Sequence, residues 1–504
     1  MSDGLVVNGG AGGLGARLQD LRSQARLLDA AGDDVRTWSG LVAATAVSPD
    51  ITGAALLCPV EVAQVATSVA AATVGPDGLM IVSAGLESSA VVLRASATTY
   101  EFVDASQQRI MEALQNVAGF ALGAALPGLV LGGGLLLAGG GLTALRTPGS
   151  WPLLALALRN TDPAALQAGA MDTLYDSPWL LESLTKMAPS MVQGTTWTLG
   201  SLLGGPLGGL TVPYVLSGGK WPTGSYEDAV GGLVNAGGMF GVFQDTGAGG
   251  ATAGEQVVST DHAPRSVRDL FREQRSLGVE SSHGQIQITQ VVGDDGTSSW
   301  VVQIPGTQEW APTRGTNPVD LTTNVRLMAG HETLMESKVA DAMRHAGVQP
   351  GDPVMLTGHS QGGITAAALA SDSAFLDEFS VRSVVTGGSP VARFDIPDSV
   401  AVLSLEHDQD AVPMLEGREN PDRPNWVTVE RSLPESDYSV PDPTPSGVAL
   451  DRTAGVGDAH DTAVYADTGR LIDYSSDPSL QQWLEQQERF FSGPATVTRW
   501  HVTG

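Results

Sequence analysis

Residues 353–370 read PVMLTGHSQGGITAAALA, and this stretch decides the fold of the second half of the chain. It begins with an apolar run of strand type, residues 353–357, which is followed by a short turn that contains Ser360. Glycines then lead into a run of small residues, 364–370, that is typical of a buried helix. The stretch therefore predicts a sheet strand, a sharp turn at a serine and a helix that packs on the sheet.

Ser360 is the centre of a Gly-x-Ser-x-Gly pattern, which between a strand and a helix is typical of the nucleophile elbow of an α/β-hydrolase. Glycines flank the serine because a side chain there would collide with the neighbouring strand or helix. The free amides at the start of the helix favour negative charge that develops at the turn. The pattern alone is weak, because the chain has 62 glycines. The alternative is an ordinary glycine-rich turn that packs a parallel sheet.

A nucleophilic serine needs a base and a carboxylate that orients the base, and in this fold class the chain order is serine, acid, histidine. Downstream of Ser360 the histidines are His407, His460 and His501. His460 is the predicted base, because its polar loop runs into an apolar stretch and could bring it over the serine. His407 shares a short loop with the candidate acids, and His501 lies next to the chain end. The alternative for His460 is a surface-loop histidine.

Asp410 is the predicted carboxylate. It follows a strand-like run, residues 400–405, and open α/β sheets place their sites at the carboxyl ends of such strands. Asp408 in the same loop is the alternative acid, and both residues could instead be solvated acids of a turn.

The oxyanion hole is predicted to combine the amide of Gln361, just after the nucleophile, with a second amide from an earlier loop. That loop is residues 305–308, which follows the strand-like run 300–304. Gly306 permits a tight turn, so the Thr307 amide, together with its hydroxyl, is the candidate second donor. The alternative is a simple turn at a strand end.

Residues 265–504 resemble the class 3, or fungal-type, lipases and their bacterial relatives. The motifs that carry the resemblance are, in chain order, Pro305–Thr307, Gly358–Gly362, Gly387–Pro390, Asp410–Pro413 and His460. The resemblance implies an α/β-hydrolase domain with a mostly parallel sheet and helices on both faces. It also implies a triad of Ser360, Asp410 and His460 that acts on carboxylic esters without a cofactor or a metal.

Two positions depart from the lipase pattern. Gln361 stands where leucine is common after the nucleophile, and Pro305 stands where many relatives have a basic or aromatic residue. Because both changes touch the acyl site, the resemblance predicts ester hydrolysis and leaves the acyl specificity open.

The first 115 residues predict an all-α region. An amphipathic helix begins near Leu14 and is predicted to end at Trp38-Ser39-Gly40, where Gly40 turns the chain. A helix near residues 60–72 and a later helix over residues 86–114 follow. The later helix carries Tyr100 and Asp104 one turn apart on the same face.

A Trp-x-Gly turn followed by a Tyr-x-x-x-Asp pair resembles the helical-hairpin substrates of type VII (ESX) secretion. About sixty residues separate the two motifs, which is longer than in a simple hairpin. The resemblance implies that the protein is secreted or held at the cell surface without a cleavable signal peptide, and that a secretion machinery or a helical-hairpin partner binds it.

Residues 116–245 predict an apolar, glycine-rich helical region. The stretch 113–145 carries no charge and is long enough to span a membrane, although Pro127 and many glycines lower its helical propensity. We interpret it as a buried or membrane-active helical hairpin that could contact a membrane. A linker by composition, 246–264, then precedes the hydrolase domain at 265–504.

The charge of the chain restricts its partners. It has 27 basic and 55 acidic residues, a net charge of −28, and no basic cluster, which disfavours nucleic acid and strong adsorption to anionic bilayers. Cys58 is the only cysteine, so the chain forms no internal disulfide. The eight histidines are scattered and do not form a metal-ligand cluster.

These patterns together predict an exported serine hydrolase that cleaves a lipid or a small ester. One alternative is a membrane-inserting effector whose hydrolase domain acts on lipids. Others are a non-catalytic binding protein on a hydrolase scaffold and an acyltransferase that uses another alcohol in place of water. Two segments are candidates for a lid over the site, the long polar stretch 418–457 and the short stretch 310–315.

Overall fold

The computed structural model describes two compact units, which are treated separately. The described residues are 4–95, 97–98, 225–239, 241–245, 257–259, 263–279, 284–311, 313, 315–434, 436–441, 449–453 and 455–502, with isolated positions between 190 and 219. One unit consists of Met1–Gly13 and Glu112–Gly504, and the other consists of Leu14–Met111.

The first unit is built on a mixed sheet. The strands are β1 (Leu5–Gly9), β2 (Val257–Ser259), β3 (Gln285–Val292), β4 (Ser298–Ile304), β5 (Val354–His359), β6 (Val381–Gly387), β7 (Ala401–His407), β8 (Trp426–Arg431), β9 (Tyr438–Pro441), β10 (Ala449–Arg452) and β11 (Ala495–His501). In the described residues nine of them form one sheet in the order β1-β8-β7-β6-β5-β4-β3-β11-β2, and β9 pairs with β10 in a separate ribbon. Strands β4 to β8 are parallel, and the outer pairings are antiparallel.

Helices account for most of the remaining regular structure. The helices are α1 (Leu14–Ala46), α2 (Pro49–Ala54), α3 (Pro59–Val74), α4 (residues 79–95), α5 (Tyr226–Met239), α6 (Val267–Val279), α7 (Leu321–Met328), α8 (Leu334–Ala346), α9 (Gln361–Leu369), α10 (Ser373–Glu378), α11 (Val456–Ala459), α12 (Thr462–Asp473) and α13 (Pro478–Gln487). Short 3₁₀ turns lie at Gly10–Gly12, Pro413–Glu416 and Glu488–Phe490.

Helices cover both faces of the sheet because neighbouring strand residues point to opposite sides. Val302 and Leu356 pack with α8, α9 and α10 on one face. Val301 and Met355 pack with α6, α12 and α13 on the other face. Strand β5 is buried along its whole length, as expected for a central parallel strand. The prediction of a mostly parallel sheet with helices, after an all-helical region, is confirmed at this level.

The first thirteen residues correct the predicted boundary of the helical module at 1–115. They belong to the sheet unit, where β1 pairs antiparallel with β8. A Cβ added at Gly9 would lie 2.1 Å from the carbonyl oxygen of Trp426, and the Gly12 amide donates to the Ser479 hydroxyl at 2.9 Å. A five-residue strand at an edge carries too short a hydrophobic pattern to be recognised, and its partner lies more than 400 residues away.

The predicted regions 116–245 and 246–264 also contribute to the sheet unit. From the first, α5 packs on the loop after β7, because the Tyr226 hydroxyl donates to the Leu415 carbonyl at 2.8 Å. From the second, β2 pairs antiparallel with β11, so the predicted linker contains an edge strand. The charge-free stretch 113–145 lies outside the described residues.

Helix α1 continues through Trp38 and Gly40, so the predicted turn at Gly40 is wrong. A glycine inside a helix lowers the stability of the helix by only about 1 kcal/mol relative to alanine. The neighbouring residues of this long helix offset that cost. The chain turns later, where the Ser48 side chain accepts the Ile51 amide and Pro49 begins α2.

The later helices of this unit agree in part with the prediction. The helix predicted near 60–72 is confirmed as α3, and the helix predicted from residue 86 begins at residue 79. It packs on α1, where the Ser83 hydroxyl donates to the Gly32 carbonyl at 2.8 Å. Tyr100 and Asp104 lie outside the described residues.

By length and composition, one stretch of the described residues, Pro59–Ala95, is apolar enough to cross a membrane. The chain turns within this stretch at residues 75–78, so it consists of α3 and α4. Each helix is shorter than the roughly 20 residues that span a bilayer.

We expect Gly40→Ala to stabilise the helical unit by about 0.5–1 kcal/mol, because Gly40 lies inside α1 and a Cβ there meets no atom within 4 Å. Chemical denaturation of the full chain, followed by amide exchange in α1, measures the change. Gly75→Ala is the matched control and should destabilise the unit, because its Cβ would meet the Ala71 carbonyl oxygen. Destabilisation by Gly40→Ala would restore the predicted turn.

We expect Gly9→Ala to detach β1 from β8 at a cost on the order of 2–4 kcal/mol, because the added Cβ collides with backbone and Gly9 has a φ of +75°. Amide exchange of β8 should accelerate. Gly12→Ala is the control, since its Cβ would meet only the flexible Ser479 hydroxyl at 3.2 Å. Equal protection of β8 in both variants would contradict a structural role for β1.

Candidate functional site

Ser360 lies at the end of β5 in a strained backbone conformation, with φ 55° and ψ −126°. Among the described residues only Ser360 and Phe243 have positive φ without being glycine. Close packing imposes the strain. A Cβ on Gly358 would lie 2.0 Å from the Gly362 carbonyl carbon, and a Cβ on Gly362 would lie 2.0 Å from the Ile304 oxygen. The glycines are therefore needed for the reason that the sequence predicts.

The structure brings together two of the predicted site residues, Asp410 and His460. The Asp410 carboxyl group is fully buried, and its Oδ2 accepts the Nδ1–H of His460 at 2.7 Å. The Tyr465 hydroxyl donates to the same oxygen at 2.7 Å, and the Val412 amide donates to Oδ1 at 2.9 Å. Three donors thus stabilise the buried carboxylate, and the bond to Nδ1 leaves Nε2 of His460 as a proton acceptor.

The turn after β6 places Ser360 next to this pair. The Ser360 amide donates to the Gly387 carbonyl at 3.0 Å, and the Ser389 hydroxyl donates to the Ser360 carbonyl at 2.8 Å. Between these two residues, a Cβ on Gly388 would lie 3.0 Å from Nδ1 of His460. The serine and the histidine therefore lie on the two sides of one glycine turn.

His359 is a neutral neighbour of His460. The two rings have centroids 4.4 Å apart, and burial together with the nearby His460 holds the pKa of His359 well below its usual value. Because His359 stays uncharged, it does not oppose a positive charge that forms on His460.

The other candidate histidines lie elsewhere. His407 donates Nδ1–H to the carbonyl of Ala459, the residue before His460, at 2.8 Å and stacks on the Tyr465 ring. Burial lowers the pKa of His407 to about 4, so it is neutral near pH 7. It supports the loop of His460 and is not the base. His501 lies in β11 beside Gln285.

The alternative acid Asp408 is not placed at His460. Its carboxylate accepts a hydrogen bond from the Ser432 hydroxyl, while Asp410 in the same loop contacts the imidazole. Of the two aspartates that the sequence left open, Asp410 is the one with the geometry of an orienting carboxylate.

The predicted oxyanion donors flank the turn at Ser360. The Gln361 amide belongs to the first turn of α9, where a helix offers no internal acceptor. On the other side, a Cβ on Gly306 would lie 3.5 Å from the Ser360 Cβ, which places the loop with Thr307 against the serine. The buried Gln361 side chain donates to the Asp320 carbonyl at 2.6 Å, so it binds protein and not substrate.

The lid candidates differ in structure. The segment 310–315 contains Trp310, which is 68% exposed. The segment 418–457 is not a simple loop, because it contains β8 of the main sheet and the β9–β10 ribbon. The run of aromatic and β-branched residues Trp426–Val429 is the signal that could have revealed β8.

Sequence reasoning missed Tyr465, the half-buried Glu406 and the buried Glu416 beside the Asp410 loop. The Glu416 carboxylate accepts the amides of Ala392 and Arg393 at 2.8 and 3.0 Å. Burial raises the pKa of Glu406 and of Glu416 to about 8 each, and the two carboxyl groups repel one another. No sequence motif marks these residues, because they are distinguished only by their burial next to the site in the folded protein.

A cavity of the sheet unit lies away from Ser360. It has a volume of about 880 Å³ and is lined by Trp300, Gly351 and Asp352 at the amino ends of the parallel strands. Ser360 lies at the carboxyl end of β5, where open α/β sheets place their ligands. Within the described residues no group of three His, Cys, Asp or Glu side chains could hold a metal ion.

No family model, no curated protein and no solved structure matches the chain. The chemistry of the site therefore has to be argued from its own geometry.

We expect Glu406→Gln to flatten the pH dependence of stability between pH 5 and 8. An acid whose pKa is raised on folding contributes stability that is fully present below its unfolded pKa of about 4.5. This contribution is lost as the pH rises through the folded pKa of about 8. Each such proton contributes a slope of at most about 1.4 kcal/mol per pH unit. Chemical denaturation at a series of pH values measures the slope.

Glu378→Gln is the control with the opposite sign. Its pKa is lowered by hydrogen bonds from Arg344, so its contribution is present above its unfolded pKa and is lost towards acid. An unchanged slope between pH 5 and 8 in the Glu406 variant would show that Glu406 is charged in the folded state.

Proposed function

We propose that this protein is a serine hydrolase that cleaves carboxylic esters through Ser360, His460 and Asp410. The observation that carries the proposal is the 2.7 Å bond between buried Asp410 and His460, on the same glycine turn that binds the strained Ser360. A nucleophile on a sharp turn, a base with a free nitrogen and a buried orienting carboxylate are the parts that acyl transfer requires.

In the proposed reaction, Nε2 of His460 takes the hydroxyl proton of Ser360 as its Oγ attacks the ester carbonyl. Asp410 holds the imidazole by its Nδ1–H and stabilises the positive charge that forms. The amides of Gln361 and Thr307 stabilise the oxyanion, each by on the order of 3 kcal/mol. The imidazolium then protonates the leaving alcohol, and water, activated by His460, releases the acyl group from Ser360.

The sheet order and the position of Ser360 support an α/β-hydrolase of the class 3 lipase type as the finer fold assignment. The substrate class that we propose is a lipid or small carboxylic ester. The Gln361 side chain binds the Asp320 carbonyl and not the substrate, so its difference from the leucine of the lipases does not set the acyl specificity.

We further propose that the protein acts outside the cell or at its surface, where a lipid substrate brings it to a membrane. The net charge of −28, which favours solubility, supports action outside the cell. The continuous α1 helix weakens the likeness to type VII substrates at Trp38–Gly40, so export and a secretion partner rest on the helical unit as a whole.

We expect Ser360→Ala to abolish hydrolysis of a short p-nitrophenyl ester and labelling by a fluorophosphonate probe, since only an activated serine reacts readily. Asp410→Asn should lower kcat by on the order of 10³–10⁴-fold, because the imidazole loses its orienting charge. Full-length protein is assayed for initial rates and for labelling.

Asp408→Asn is the matched control for the acid, since it changes the same residue type in the same loop without touching His460. It should retain nearly full activity. Full activity of Ser360→Ala would end the proposal, and equal losses in both aspartate variants would remove Asp410 from its assigned role.

A further inference from the structure

We infer that an ion-pair cluster next to His460 positions this base for its reaction with Ser360, an inference that rests on the proposed function. The cluster consists of Asp461, Arg275 and Arg452, and is called the Asp461 clamp below. Asp461 directly follows His460 in the chain, and its carboxylate binds Arg275 of α6 and Arg452 of β10.

His460 lies in a very short connection between two helices. Helix α11 ends at Ala459 and α12 begins at Thr462, so that His460 and Asp461 alone separate the two. Asp461 caps α12, because its Oδ1 accepts the Ala463 amide at 2.7 Å. The place where Asp461 is held therefore decides where the backbone of His460 enters the helix.

The two arginines approach Asp461 from distant parts of the chain. Nη1 of Arg275 donates to Oδ1 of Asp461 at 3.0 Å, and Nη2 of Arg452 lies 3.0 Å from Oδ2. The side chains of Arg452, Arg275 and Asp461 are 13%, 25% and 28% exposed, so water screens these ion pairs less than it would on an open surface. Because each arginine binds a different oxygen, the carboxylate cannot rotate without breaking an ion pair.

Arg452 connects the clamp to the β9–β10 ribbon, which packs on both helices that flank His460. Val440 of β9 and Leu450 of β10 lie in one apolar cluster with Ala459 and Ala463. The ribbon thus contacts the residue before His460 through its apolar side chains and the residue after it through Arg452. The segment 418–457, which the sequence offers as a lid, contains in this ribbon a brace for the base.

The backbone of His460 needs this support because its ring is fixed at one atom only. Asp410 binds Nδ1, while Nε2 has to lie within hydrogen-bond distance of the Ser360 hydroxyl when the proton moves. A displacement of about 1 Å between reacting groups can slow a reaction on the order of 10²-fold. The Asp461 clamp touches neither the substrate nor the reacting atoms, so its members are positioning residues.

The test begins with Arg452→Gln in the full-length protein, assayed on a p-nitrophenyl ester. Glutamine removes the charge and keeps a long polar side chain. We expect kcat to fall on the order of 10-fold with KM within about 2-fold of the wild type, because the base is displaced and the ester still binds. Arg452→Lys should stay within about 3-fold of the wild-type kcat, since a single nitrogen of Arg452 makes the contact with Asp461.

A second aspartate on α12 supplies the matched control. Asp467 is also bound by two arginines, Arg431 at 3.0 Å and Arg470 at 2.8 Å. Arg470→Gln therefore breaks the same kind of ion pair on the same helix, without touching the connection that contains His460. It should leave kcat within about 2-fold of the wild type.

A double-mutant cycle separates the ion pair from the packing of the ribbon. Asp461→Asn removes the charge and keeps a side-chain oxygen that can cap α12. In this background Arg452→Gln should lower kcat by less than about 2-fold, because its charged partner is already absent. Near-UV circular dichroism of each variant checks that the fold is retained.

The inference is overturned if Arg452→Gln keeps the wild-type kcat, or if it lowers kcat equally in the wild-type and Asp461→Asn backgrounds. It is also overturned if Arg470→Gln lowers kcat as much as Arg452→Gln, because any loosening of α12 would then have the same effect. Failure of the proposed function reads differently, because the wild type itself would then neither hydrolyse the ester nor react with a fluorophosphonate.

Discussion

The close approach of α9 to the ends of β4 and β5 is the constraint on which the site depends. Backbone atoms of Gly358, Gly362 and Ile304 are so near that a single Cβ would collide at 2.0 Å. Because the helix cannot move away, the residue between strand and helix must take a positive φ, and that residue is Ser360. Strain of this kind costs on the order of 1–3 kcal/mol, which the buried sheet around β5 sustains. The same geometry directs the free amides of α9 at the turn.

The second requirement is that hydrogen-bond donors surround the buried carboxyl group of Asp410. A carboxylate removed from water is stable only when donors replace its hydration, and Asp410 has donors from His460, Tyr465 and the Val412 amide. Tyr465 stacks on His407, which in turn binds the carbonyl before His460. The aromatic residues therefore hold Asp410 and His460 in one rigid group, with the neutral His359 packed beside His460.

The sequence predicts the local parts of this arrangement and misses the distant ones. The turn at Ser360 could be recognised because strand, glycines and helix are contiguous, and His460 and Asp410 followed from their order along the chain. The acid remained ambiguous between Asp408 and Asp410, because both lie in one turn. The direction of each side chain depends on the conformation of that turn, which is known only from the folded structure. Strand β1 could not be found from the sequence, because the pairing of its Leu5 with Arg431 of β8 is known only from the folded sheet. The turn predicted at Gly40 failed because the cost of one glycine in a long helix is small.

Two parts of the chain that lie far from the site in sequence form the edges of the sheet that supports the site. Its parallel core from β4 to β8 ends at β8 on one side, and β1 from the start of the chain covers that edge. On the other side β2 covers β11. Exposed edges of a sheet invite pairing with other chains, so both short strands protect the core. Helix α5 binds the Asp410 loop through Tyr226, and it binds the loop after β6 through the ion pair of Glu227 with Arg393 at 3.2 Å. The sheet unit is therefore discontinuous, and residues 265–504 alone would lack the strands β1 and β2 that cover its edges and the contact of α5 with the Asp410 loop.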